Sequence, residues 1–512
     1  MIRDLNKNSY RAILILSFLA INALILFGIS AVFSYLNTGA DRSSMLHLEE
    51  VMDEVYVPKV AWNIDDYEGR PMEQHTLHEI EKDYRNAWYV RNMAFRYNDP
   101  KGISDYYTDS AQVKLKRSLT LNQSNETTIK GTTIEHNPEL KFYSQDGTMV
   151  TFTDRDVISY QEVLANGQVI LSLKDTTSYR VMMLLEDGFW RIRHLVEIQK
   201  QKQSHKKVTK QNNQKPKTVS AIKGINYYPK DSPWDMFGVH FDATTIDMDF
   251  KLMSEMGLNT IRIFIQYEDF GKAKVLPEKL NKLRTVLDLA TQNQLKVVIT
   301  LFDFYGNYSI SDWTLTHRHA EAIVSTFKNH DAILAWDIKN EPDLDFESRG
   351  KHKVLAWLNQ MVANIRVWDQ NHAITIGWSN PEVANLLAKQ LDFVSFHYYE
   401  DVGDFKEAYS LLQQKAPDKP LMLQEYGKSS YSGFWNLFKG SKDTQALYYK
   451  EMQALLKAEN VPYLSWTLYD FNKIPASVVG TLPWRKQPQA YYGIVDEAGN
   501  KKPAYVYLRN RR

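Results

Sequence analysis

The sequence predicts an α/β chain: a (β/α)8 TIM barrel over residues 219–510, preceded by a small, cone-like α+β domain and one amino-terminal transmembrane helix. Three observations carry this. Strand-like and amphipathic helical runs alternate through the last stretch of roughly 290 residues, the size of one such barrel. Within residues 45–199, helical periodicity gives way to β-alternation. Residues 12–36 pass almost without charge. Composition excludes several other classes. The 62 Lys and Arg balance 61 Asp and Glu, so no global field recruits nucleic acid. The chain has no cysteine, which removes disulfides, thiol nucleophiles, Cys-ligated zinc and iron–sulfur clusters. The 12 Trp and 30 Tyr suit a protein that stacks flat rings on apolar faces.

Residues 1–11 carry Arg3, Lys7 and Arg11 and form a short cytoplasmic end. Ala12 to Leu36 has Asn22 as its one strongly polar residue and is long enough to span a bilayer of ~30 Å with some tilt. The run exceeds a usual signal-peptide core and no small-x-small cleavage site follows, so an uncleaved single-pass anchor is expected. The positive-inside bias then places residues 40–512 on the periplasmic or extracellular side.

In residues 45–199, Leu77, Ile80, Tyr84, Ala87 and Trp88 recur at helical spacing. Strands follow at Thr128–Glu135, Leu140–Tyr143, Met149–Ile158, Val169–Leu184 and Phe189–Ile198. Asp146-Gly147, Asn166-Gly167 and Asp187-Gly188 supply the turns. This layout resembles the cone-shaped fold of nuclear transport factor 2 and ketosteroid isomerase. The resemblance implies either a small-ligand pocket or a dimerisation module. No acid–base pair stands out, so a spacing role is expected, with a homodimer through residues 45–199 as the implied partner. Residues 200–218 follow as a linker: seven lysines, many amides, Pro216 and no acid read as a solvated spacer.

Eight barrel strands are expected at Ala221–Tyr227, Thr260–Ile265, Lys296–Phe302, Ile333–Lys339, Ala373–Trp378, Phe393–His397, Pro420–Gln424 and Tyr463–Leu468. Between them lie helices such as Thr245–Met256, stopped by Gly257, and Lys353–Asp369, whose Leu355, Leu358, Val362 and Ile365 share a face. Active sites of such barrels lie at the carboxyl ends of the strands. The fourth ends in Lys339-Asn340-Glu341-Pro342 and the seventh in Gln424-Glu425-Tyr426-Gly427, so two glutamates face one mouth. A retaining glycosidase needs such a pair, about 5–5.5 Å apart. Ionising one raises the pKa of the other, which splits their roles.

Asn-Glu-Pro after strand four and Glu-Tyr-Gly after strand seven resemble glycoside hydrolase clan A, most closely family 5. The stretch Ile333 to Pro342 strongly resembles the cellulases and mannanases of that family, and Lys223 to Tyr228 is similar to family 2 of the clan. The resemblance covers residues 221–506. It implies Glu341 as acid/base, Glu425 as nucleophile and Asn340 on the sugar 2-hydroxyl. It also implies Arg262 as the cation that keeps the nucleophile ionised, His397 and Tyr399 as orienting groups, and Trp466 as the platform beneath the sugar. One departure concerns the histidine that many members carry after strand three. Here the run is Asp303-Phe304-Tyr305-Gly306, and Asp303 and Tyr305 are expected to take over that contact. Tyr228, Trp234, Trp313, Trp378 and Trp484 are candidate subsite walls. No cofactor is implied. His317 and His319 lie two apart on a helix and diverge, so no metal site is expected.

The expected function is a membrane-anchored retaining β-glycoside hydrolase acting on a β-linked poly- or oligosaccharide of glucan or mannan type. A transglycosylase remodelling an exported polysaccharide, or a non-catalytic carbohydrate-binding protein, are the alternatives. Short loops after the strands favour endo action.

Overall fold

The structure is a computed structural model; it describes residues 17–18, 20–26, 28–29, 55–198, 222–475, 478 and 482–509. Residues 1–11, most of the expected 12–36 span and the whole 200–218 linker lie outside these. Among the described residues no helix is long and apolar enough to cross a membrane.

The first described unit opens with two short strands, β1 (Lys59–Val60) and β2 (Glu68–Gly69). A long helix, Gln74–Tyr97, follows, with Ile80, Tyr84, Ala87, Trp88 and Ala94 buried along one stripe. It ends where Asn98 turns left-handed at φ 52°. After the helix Asp109–Ser124 come four antiparallel strands: β3 (Thr127–Tyr143), β4 (Met149–Ala165), β5 (Gln168–Glu186) and β6 (Phe189–Ile198). The three predicted turns are present. Gly147, Gly167 and Gly188 sit at φ 74°, 76° and 85°, conformations that a side chain would strain. The predicted break between Glu135 and Leu140 is absent. Register shifts flanking Glu135 absorb the irregularity before Pro138, so β3 runs through. Trp88, Phe152, Val181 and Trp190 fill the space between sheet and helices.

This unit also buries a histidine–carboxylate pair that the sequence did not single out. His136 Nδ1 lies 2.6 Å from Asp154 Oδ2, and Tyr84 donates to the same oxygen at 2.7 Å. His136 Nε2 meets the Thr133 hydroxyl at 2.8 Å, which Tyr56 covers. The sequence hid this pair because its members lie 18 positions apart on neighbouring strands.

Eight parallel strands close the second unit: β7 (Lys223–Asn226), β8 (Thr260–Gln266), β9 (Lys296–Asp303), β10 (Ile333–Asn340), β11 (Ala373–Trp378), β12 (Val394–His397), β13 (Leu421–Glu425) and β14 (Tyr463–Ser465). Each matches an expected strand with its ends moved by no more than three residues: β8, β9 and β10 run one residue longer, β13 shifts by one, and β7, β12 and β14 are shorter. The interior is layered by the two-residue period of strands. Val298, Ala335, Ala373, Phe393, Met422 and Leu464 form an apolar floor. Two residues further along the same strands stand Thr300, Asp337, Thr375, Ser395, Gln424 and Trp466, all but the last polar. The site rests on this second layer.

The two units share a clasp. Val57 N–H donates to Thr314 at 3.1 Å, and the Thr314 hydroxyl returns a bond to Val55 O at 2.9 Å. Arg318 donates to Val57 O and Pro58 O, and Lys59 pairs with Glu321 at 2.6 Å. Tyr160 of β4 packs on Trp313 with ring centroids 4.5 Å apart.

Candidate active site

Arg262, fully buried on β8, organises the barrel mouth. Its Nη1 donates to Glu425 Oε1 at 2.5 Å and to Asn226 Oδ1 at 3.2 Å. Nη2 reaches Asp337 at 2.6 Å and Asn340 Oδ1 at 2.8 Å, while Nε serves Asp337 and Thr300. The guanidinium fork thus fixes four strands through one cation. Gly377 makes the space. A Cβ there would fall 2.4 Å from Gln424 Oε1 and 2.9 Å from Arg262 Nη2.

Strand register aims the glutamates. Register shifts occur between Asp337 and Asn340 and between Phe396 and His397, where His397 pairs with Glu425. Such irregularities re-aim a side chain that strict alternation would turn outward. Glu341 follows in a left-handed conformation, φ 45°, with its N–H held by Gly377 O at 2.7 Å. Non-glycine residues hold that conformation only where surroundings enforce it.

The result is a compact pair. Carboxylate oxygens of Glu341 and Glu425 and a His397 nitrogen lie within 4.8 Å of one another. His397 Nδ1–H donates to Glu341 Oε1 at 2.8 Å and lies 3.6 Å from Glu425 Oε2. Tyr399 donates to Glu425 Oε2 at 2.8 Å. Glu425 therefore accepts from Arg262 on one oxygen and Tyr399 on the other. Burial works against a charged Glu341, but the His397 hydrogen bond and charge, with Arg262 and Lys339 behind, hold its pKa below the usual value. Burial likewise opposes a charged His397, yet the two glutamates raise its pKa. The lowered pKa of Glu341 departs from the expectation that its neighbouring carboxylate raises it, because His397, Arg262 and Lys339 outweigh burial. These three side chains could chelate a cation, but the Arg262 guanidinium already occupies the charge-compensating position beside Glu425.

Of the other expected residues, Asn340 spends its oxygen on Arg262, which leaves Nδ2 to donate. Trp466 lies one residue past β14, in a cis peptide bond with Thr467, beside Tyr228, Trp234 and Phe264. Among the described residues its buried Nε1 has no hydrogen-bond partner, nor has Nε2 of His397. Asp303 stays at the mouth, where Tyr228 donates to it at 3.2 Å. Its burial pushes its pKa up to about 7 against the pull of Lys339 and Arg262. Tyr305 does not join it: the ring stacks on Trp357 of the helix Lys351–Trp368, centroids 5.2 Å apart. Tyr228 and Trp234 are buried and pack on each other and beside Trp466, whereas Trp313 faces the first unit. Trp378 is fully buried and Trp484 stands exposed beside Trp435. His317 and His319 diverge, to Asn364 and to Lys272 O, and burial lowers both pKa values to about 4.

Sequence reasoning missed Asp337, Asn226 and Lys339. Asp337 shares the inward parity of Ala335 on β10, which is the signal that would have found it; Lys339 lies inside the register shift, where alternation gives no such signal. Lys339 is buried, its Nζ 3.3 Å from Asp345 and 3.1 Å from Asn340 O.

Comparison with known proteins agrees with this geometry. Residues 218–472 match the family model described as cellulase, glycosyl hydrolase family 5. Mannan endo-1,4-beta-mannosidase 5 of Solanum lycopersicum is 27% identical over 196 residues, covering 30% of this chain and 47% of that protein. The Homo sapiens beta-glucuronidase is 24% identical over 224 residues, covering 41% of this chain and 31% of that one. A solved exo-beta-1,4-mannosidase from Opitutaceae bacterium strain TAV5 is 19% identical at a TM-score of 0.45, covering 56% of this chain and 58% of that one. The chain thus spans about half the length, 47%, of the mannosidase it matches. The closed eight-stranded topology and the family match together make the second unit a clan A glycoside hydrolase barrel of the family-5 type.

Proposed function

We propose that the chain is a membrane-anchored, retaining β-glycoside hydrolase acting on a β-linked poly- or oligosaccharide of glucan or mannan type. The observation that carries this reading is the close approach of Glu341 and Glu425, within 4.8 Å across one mouth. That spacing leaves no room for the water an inverting enzyme places between its carboxyl groups. The relatives named as mannan endo-1,4-beta-mannosidases favour mannan as the first substrate to try.

In the first step Glu425, ionised beside Arg262, attacks the anomeric carbon. The bond from that carbon to the leaving oxygen breaks, and the oxygen takes a proton from the Glu341–His397 pair. A covalent glycosyl ester on Glu425 results. In the second step Glu341 removes a proton from water, the resulting hydroxide attacks the anomeric carbon, and the ester bond to Glu425 breaks. Asn340 Nδ2 donates to the sugar 2-hydroxyl, Trp466 carries the ring face, and Asp303 accepts from a further hydroxyl. When a sugar hydroxyl takes the place of water, the same steps give transglycosylation. No cofactor takes part in either step.

Residues 12–36 supply the anchor in this reading, with residues 40–512 periplasmic or extracellular. The first unit acts as a spacer and dimerisation module. In support, among the described residues β5 residues 168–177 pair with β4 alone, the described part of β6 ending at Ile198, opposite Ser178. Val169, Ile170, Leu171 and Leu173 are exposed on that edge.

A 2-fluoro-glycoside with a good leaving group tests the mechanism. Mass spectrometry should find the sugar on the peptide holding Glu425, and Glu425→Gln should stay unlabelled. Cleavage of mannan and glucan unchanged in both Glu341→Ala and Glu425→Ala would refute the assignment.

A further inference from the structure

The two loops that follow β13 and β14 carry a second feature of the mouth. Residues 426–442 include a single turn of helix at Phe434–Asn436, and the next two residues, Leu437 and Phe438, take left-handed backbone at φ 56° and 59°. Residues 466–493 bring up the helix Pro483–Gln489, whose Trp484 ring lies 6.0 Å from that of Trp435. Phe434, Trp435, Leu437, Phe438, Leu482 and Trp484 form one patch, each 40–71% exposed. So contiguous an apolar surface on a protein calls for a partner.

Two further facts specify the partner. Neither 426–442 nor 471–495 contains an acidic residue, yet together they hold Lys428, Lys439, Lys442, Lys473, Arg485 and Lys486. Lys442 pairs with Asp496 just beyond these loops, and Lys428, Lys439 and Lys473 stay exposed; an apolar patch on loops with this excess of cations complements an anionic lipid surface. The first described stretch of the small unit also starts at this end of the barrel. Val55 and Val57 bond to Thr314, in the first turn of the helix Trp313–Phe327, and helices of this barrel start at the mouth. Eighteen residues, 37–54, separate Val55 from the apolar run 12–36, a reach of at most about 65 Å when extended. The tether and the patch therefore leave the barrel at the same end, on opposite sides of the mouth.

We propose that these two loops dock on an anionic bilayer, seating the barrel mouth against the membrane that residues 12–36 enter. The inference rests on the anchored reading above. A sugar platform is the competing use of exposed aromatics. It fits less well, because Leu437 and Leu482 offer no flat face and the Trp435 and Trp484 rings are tilted by 47°. Docked in this way, the catalytic mouth opens along the membrane surface. Its substrate is then a glycan held close to that surface rather than one free in bulk solution.

The absence of cysteine makes the test direct. Leu437→Cys and, as control, Val367→Cys each give the full chain one attachment point for an environment-sensitive fluorophore. Val367 is 72% exposed near the end of the helix Lys351–Trp368, at the opposite end of the barrel. Both proteins are reconstituted in vesicles of phosphatidylcholine and phosphatidylglycerol, with nitroxide-bearing lipid as quencher, after a thermal melt matching the unsubstituted chain. Phe438→Cys replaces Leu437→Cys should the melt differ. The expected result is a blue shift and several-fold stronger quenching at 437 than at 367, lost in pure phosphatidylcholine at high salt. Equal quenching at the two positions, in protein that floats with the vesicles, overturns the docking and leaves the anchor standing. Shielding of 437 by soluble mannan or glucan and not by lipid overturns it in favour of a sugar platform. Protein that fails to float overturns both anchor and docking.

Discussion

Two buried networks in this chain use the same chemistry to different ends. In the first unit His136 meets Asp154 at 2.6 Å, with Tyr84 donating to the same carboxylate. In the barrel His397 meets Glu341 at 2.8 Å, with Tyr399 donating to Glu425. The difference lies in what is left over. Both nitrogens of His136 have protein partners, and Tyr56 covers Thr133. In the barrel His397 Nε2 and Trp466 Nε1 have none among the described residues, and the Glu341 side chain is 27% exposed. A histidine–carboxylate pair is structural when every polar atom is satisfied inside the protein. It is catalytic when the fold leaves atoms for something else to satisfy.

The sharpest way to break this comparison is Glu425→Ala. Mannan or glucan cleavage should fall by about 10⁴-fold or more while the fold, read by circular dichroism, persists. Next comes the exchange of roles. His397→Ala should cost about 10²–10⁴-fold in kcat with a small change in denaturant midpoint. Asp154→Ala should leave kcat alone and cost on the order of 3–5 kcal/mol, because it strands a buried partner. Urea unfolding and steady-state kinetics on both variants check the pair, and a large kcat loss in Asp154→Ala would erase the distinction.

The smallest effect concerns pH. Asp303 has its pKa raised to about 7 in the folded chain, against 3.8 for an ordinary aspartate. A carboxyl whose folded pKa lies above its unfolded value contributes stability below the unfolded pKa and loses it as pH rises to the folded one. Asp303→Asn should therefore match the parent melting temperature near pH 4 and exceed it near pH 8. His397, also raised, adds a loss of the same sign as pH climbs through its folded pKa. Glu341, lowered, contributes stability above its unfolded pKa that is lost as acid protonates it. Melting curves of single variants across this range separate the three.

Much of the barrel was legible in the sequence because its signals are local. Glu341 and Glu425 sit in short strings at strand ends, and the strands themselves alternate with helices of plain periodicity. What escaped was partnership between distant positions. Arg262 and Asp337 are 75 residues apart, and only barrel closure brings the guanidinium to that carboxylate. The Gly377 requirement is equally invisible, since it arises from side chains of two other strands. Tyr305 was misassigned for a related reason. Phe304, at φ 60°, reverses the chain just past β9, so the side chain two residues beyond Asp303 no longer shares its direction.

The clasp at Val55–Lys59 has a mechanical consequence. In the anchored reading proposed above, tension on the amino-terminal tether would not first peel the small unit away. It enters through backbone groups of Val55 and Val57 bonded to Thr314 and Arg318, and through the Lys59–Glu321 pair. These attachments lie along the helix Trp313–Phe327, so they are loaded together in shear rather than unzipped one by one. In that reading, a drag on the lipid end would be carried into the barrel wall beside the third strand, and the mouth would travel with its leash as one body.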